Sequence, residues 1–111
     1  MSKSFPADLT KLIRESVEII KSIGNKSSND MTFTELLRTS TAYNLLRLSR
    51  STSEDSQLLQ AQAKEISACR RSYGKSNDET KGRIRSTLVK HIDQGRQLVD
   101  LSDFHKEFEK E

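Results

Sequence analysis

One cysteine, one proline and four glycines in 111 residues withhold most of the cross-linking and turn chemistry from which small folds are otherwise assembled. With Cys69 alone, neither an intramolecular disulfide nor a thiolate metal cluster can form, which suits a reducing compartment. The scarcity of glycine and proline, with no period-two alternation of β-branched residues, argues against a sheet of short strands and tight turns. No apolar run approaches the roughly 20 residues that span a bilayer, so no membrane partner is expected. Residues Met1 to Asp8 lack the apolar stretch of a secretory signal, and Asp8 and Glu15 are out of place in a mitochondrial transit peptide. The expected location is the nucleus, with the cytoplasm as the alternative.

What is present is polar and helix-friendly. Hydrophobic and charged residues each make up 32% of the chain, so a small core must be drawn from narrow apolar stripes, as in a helical bundle. The length suits one domain, 1–111, with a short N-terminal tail over residues 1–5 and a frayed C-terminus over 109–111. The net charge of +3 is concentrated in the middle, where residues 31 to 74 hold six basic against four acidic side chains. An anionic partner should meet that region first.

A first helix is predicted from Pro6 to Asp8 onward, because proline fits a first turn and aspartate favours the positive end of the helix dipole. Leu9, Ile13, Val17 and Ile20, with Leu12, Ile19 and Ile23 beside them, give it one broad buried face ending at Gly24. Residues 25–30 read as a mobile surface loop. Thr32 and Glu35 have the spacing of a capping box, with Phe33, Leu36 and Leu37 on the apolar side of the helix that follows. The hydroxyl run Thr39-Ser40-Thr41 is expected to break that helix, with a second short one from Ala42 to Arg50. Ser51 to Asp55 signals another start, after which Leu59, Ala63, Ile66, Cys69 and Tyr73 share a face closed by Gly74. Ser76 and Glu79 form the next expected capping box, ahead of Ile84, Leu88, Ile92 and Val99. Gly95 interrupts that stripe, marking either a weak point or a close approach to a neighbouring helix. Ser102 is expected to cap a last turn in which Phe104 and Phe108 dock together. The expected fold is therefore all-α, a single compact bundle of about five helices.

No catalytic constellation stands out. His91 and His105 have no third ligand at metal spacing, and Cys69 falls on an apolar helix face, where a buried thiol is the ordinary outcome. The acidic pairs Glu54-Asp55 and Asp78-Glu79 occupy first helical turns, where the dipole accounts for them. No enzyme, metal or cofactor is expected. The basic residues Arg38, Arg47, Arg50, Lys64, Arg70 and Arg71 come from consecutive helices that folding can gather into one patch for acidic peptide or phosphate. The alternative is a solvated polar face. Arginine, five of the six, favours carboxylate recognition through its planar fork. Phe33 and Tyr43 are the nearest aromatic residues, suited either to the core or to a groove for a hydrophobic ligand.

The stretch Met31-Thr32-Phe33-Thr34-Glu35-Leu36-Leu37, then Thr41, the leucine-arginine run to Arg50, Ser51-Thr52-Ser53-Glu54-Asp55, and Ala63-Lys64-Glu65-Ile66 with Arg70-Arg71 resembles the N-terminal domain of the transcription elongation factor TFIIS. The likeness covers about forty residues. It implies a small right-handed helical bundle without enzymatic activity that binds short motifs in disordered regions of transcription proteins. It further implies a ligand at Phe33, Tyr43, Arg47, Arg50, Arg70 and Arg71. An acidic-hydrophobic segment is the expected partner class, since a basic rim steers it and an apolar groove holds it. A structural subunit of a larger complex, or nucleic-acid binding through the arginines, is the alternative, with nucleic acid not favoured.

Overall fold

The computed structural model describes residues 7–104. Among them are four α-helices, α1 (Ala7–Ile23), α2 (Phe33–Ser49), α3 (Ser53–Ser72) and α4 (Asp78–Leu98), three short 3-10 turns and no strand. The all-α expectation holds, with four α-helices in place of about five. The tail, the frayed C-terminus, His105 and Phe108 lie outside the described residues.

The bundle is arranged around α2. The other three helices each pack mainly on α2 rather than on one another. It therefore buries side chains around most of its circumference, Leu36, Thr39, Ser40, Ala42, Tyr43, Asn44 and Leu46, instead of along one stripe. The capping box forms as expected: Thr32 Oγ1 accepts from the Glu35 N–H at 3.1 Å, and Glu35 Oε1 accepts from the Thr32 N–H at 2.9 Å. That backbone hydrogen bond, with help from the Lys26 ammonium, holds the Glu35 carboxyl below its ordinary pKa.

The expected break at Thr39-Ser40-Thr41 does not occur. The Ser40 hydroxyl donates to the carbonyls of Leu36 at 2.7 Å and Leu37 at 3.2 Å, so it bonds back onto its own helix instead of competing with it. Thr39 and Ser40 are buried against the neighbouring helices, and that packing outweighs their low local propensity.

The 25–30 segment is likewise not a free loop. Ser28 to Asp30 form a 3-10 turn whose Ser28 is buried and bonded to Asp93 of α4. The Arg96 guanidinium donates to the carbonyls of Gly24 at 3.1 Å and Lys26 at 2.8 Å. Gly24 supplies the positive φ of +56° that lets the chain leave α1.

α3 begins at Thr52, which caps the Asp55 N–H, and buries Leu59, Ile66 and Cys69 as the pattern requires. It ends at Ser72, after which Tyr73 to Lys75 turn in a 3-10 geometry, so Gly74 lies inside the turn. The cap of α4 is Asn77, whose side chain accepts from the Thr80 N–H at 2.8 Å, instead of the expected Ser76 and Glu79. Asparagine reaches the free N–H from one residue later, with the same chemistry.

Gly95 is a close approach, not a weak point. α4 runs through it, and a methyl group placed there would lie 2.4 Å from Tyr43 Cγ. Asp100, not Ser102, caps the last turn, accepting from the Ser102 N–H and hydroxyl; Phe104 is buried there.

Candidate docking surface

α1 buries Ile13, Val17 and Ile20 against α2, which turns Leu12 away from the core. Leu12 is 45% exposed, contrary to its expected place on the buried face. It stands over a groove of about 510 Å³. Leu37, Ala42 and Leu45 of α2 give the groove an apolar floor, with Thr34 and Thr41 between them; Leu12, Glu15 and Ile19 form one wall from α1, and Ile66, Ser67 and Arg70 the other from α3. Arg38 and Arg70 are both exposed at its margin, with no ion pair to another described residue.

A second groove, of about 300 Å³, lies where α2 ends. Arg47 and Arg50 line it beside Leu58 and Leu98, with Asp55, Asp100 and Asp103 around them. Arg50 is also a brace for the C-terminal turn: its guanidinium sits 4.5 Å above the Phe104 ring and donates to the Asp103 carbonyl at 3.0 Å.

The basic residues are thus divided. Arg38 and Arg70 share the first groove, Arg47 and Arg50 the second, while Lys64 and Arg71 are exposed and border neither. Tyr43 is in the core beneath Gly95. Phe33 stacks on Tyr73, with ring centroids 3.7 Å apart and planes 8° from parallel, and so clamps the start of α2 to the end of α3.

Leu12, Leu37 and Leu45 line this groove, although the sequence pattern places Leu12 and Leu37 on apolar faces turned to the core and names none of the three as a contact residue. A signal for two of them is present in the pairs Leu36-Leu37 and Leu45-Leu46, because consecutive leucines on a helix point about 100° apart and cannot all enter one face.

Burial, and secondarily the Glu65 carboxylate, push the Cys69 thiol up, keeping it protonated where a nucleophile requires a thiolate. His91 Nε2 is 2.8 Å from Glu65 Oε1, joining α4 to α3, and its side chain is 13% exposed. Among the described residues no group of three or more His, Cys, Asp or Glu side chains is placed to hold a metal ion, and no helix is long and apolar enough to cross a membrane. Comparison with known proteins finds no matching family model, curated protein or solved structure.

Proposed function

We propose that the chain is a non-catalytic interaction module that takes a short acidic-hydrophobic segment of a partner protein into the groove between α1, α2 and α3. The observation that carries this reading is Leu12, 45% exposed over an apolar floor whose margin holds Arg38 and Arg70. Half-exposed leucine gains from being covered, and the arginines draw carboxylates to the place where covering occurs. The likeness of residues 31–71 to the TFIIS N-terminal domain supplies the setting, transcription in the nucleus.

The test is capture of partners from nuclear extract, followed by titration of a retained segment. Arg38→Glu with Arg70→Glu is expected to weaken binding about tenfold, since two rim charges act mainly on encounter and orientation. The helical circular dichroism should stay unchanged. Equal binding by the variant and the parent removes the groove from the reading. A nucleic-acid ligand would instead show affinity that falls steeply with salt whatever its sequence.

Leu58 and Leu98, 60% and 65% exposed beside the second groove, favour a second reading as a subunit buried in a larger helical assembly. Sedimentation velocity separates the two. The module should remain monomeric as concentration rises; self-association abolished by Leu58→Ser with Leu98→Ser would favour the subunit.

A further inference from the structure

We infer that the segment held by the α1–α2–α3 groove is an amphipathic α-helix of a partner protein, about three turns long, with acidic side chains gathered toward one end. The inference rests on the docking role proposed above and specifies its ligand.

Short segments are recognised chiefly as added strands, as polyproline helices on aromatic grooves, or as α-helices laid along apolar grooves. The first needs a free sheet edge, and no strand exists among the described residues. The second needs exposed aromatic faces, yet Phe33 and Tyr73 cover each other and Tyr43 is buried under Gly95, so none of these rings faces the groove. The third matches what is there: an apolar helical floor between two helical walls, the setting in which one helix packs on others. The floor runs from Thr34 to Leu45, which at 1.5 Å per residue is roughly 16 Å, or about three turns of a bound helix.

The charge along the groove is polarised. α3 runs antiparallel to α2, as the Phe33–Tyr73 stack at one end and the Asn44 amide bonded to the Leu59 carbonyl at the other require. Arg70, one turn before Tyr73, therefore lies near the start of α2, and so does Arg38, one turn after Thr34. The Lys26–Glu35 ion pair across the α1–α2 turn likewise places the end of α1 at that level, so Leu12 and Leu45 belong to the opposite end of the groove. Cations at one end, on a floor that stays apolar from Leu37 through Ala42 to Leu45, call for a helix with an apolar stripe and carboxylates near one terminus. Glu15 on the α1 wall disfavours carboxylates along that side.

The test uses the full chain and two synthetic peptides of roughly 12 residues, each with leucines at i, i+3 and i+7 and glutamates in one terminal turn. One is stapled into a helix through its polar face; in the other a central proline forbids the helix. Fluorescence anisotropy gives the affinities, and amide chemical shifts locate the site. The expected result is that the stapled peptide binds at least about tenfold more tightly than the proline peptide, with shifts on Leu12, Leu37 and Leu45. Leu12→Glu, at an exposed position, should weaken it by a similar factor without altering the fold. Glu→Lys peptides should in turn prefer the Arg38→Glu, Arg70→Glu protein. Equal affinities for the two peptides at this groove would overturn the helical ligand while leaving the docking role intact. Shifts confined to the Leu58 and Leu98 end would overturn the placement. No binding of either peptide would overturn the inference, and capture of a partner sensitive to Arg38 and Arg70 then decides the docking role by itself.

Discussion

Replacing Gly95 with alanine is expected to lower the melting temperature by on the order of 10 °C, although alanine is the better helix former. The new methyl would lie 2.4 Å from Tyr43 Cγ and 2.7 Å from its Cβ and Cδ1. Those atoms are the root of the ring, so the contact cannot be relieved by moving a flexible tip; α4 must shift or Tyr43 must leave its rotamer. Overpacking of this kind costs about 3 kcal/mol, against which the helix gains about 1 kcal/mol, leaving a net loss of about 2 kcal/mol. A double-mutant cycle in urea checks the cause: with Tyr43→Ala already present, Gly95→Ala should be neutral or stabilising. Additive losses would mean that the two side chains are not in steric conflict.

Leu36→Ala should cost still more, about 3 to 4 kcal/mol, read as a shift in the urea midpoint at unchanged slope. Leu36 is fully buried in the helix on which the other three pack, so truncation leaves a cavity bordered by several elements that cannot all close upon it. Small domains are stable by about 5 to 15 kcal/mol, and one such cavity removes a large share. Leu58→Ala is the contrast. With 60% of its surface exposed, Leu58 should change stability by less than about 0.5 kcal/mol. A large effect at Leu58 would mean that the side chain is covered in solution, as the assembly reading requires.

Periodicity made the stripes of α1 and α3 legible, because helices that pack on one side write their buried face at steps of three and four. Ile13, Val17 and Ile20 are buried accordingly, as are Leu59, Ile66 and Cys69. α2 defeats the same method by being covered on several sides, so its pattern has no single phase and its hydroxyls looked like a break. The 25–30 turn was illegible for a different reason: its partners, Asp93 and Arg96, are supplied from α4, and no local rule anticipates a remote hydrogen bond. The arginines could be counted from the sequence but not sorted, since their division between two grooves depends on the antiparallel course of α2 and α3. Tyr43 was readable as core or groove; the absent side chain at Gly95 makes room for it in the core.

The Arg96 clasp on the α1–α2 turn also bears on the order in which the chain assembles. That turn is held locally by Lys26 and Glu35, nine residues apart, and remotely by Arg96 to Gly24, 72 residues apart. An eightfold longer loop costs roughly 2 kcal/mol more in closure entropy, so the α1–α2 and α2–α3 hairpins can form early while α4 waits for a surface to dock on. When α4 arrives it brings Gly95 to Tyr43 and Arg96 to the turn in adjacent residues, closing two long loops and fastening a distant turn in one event.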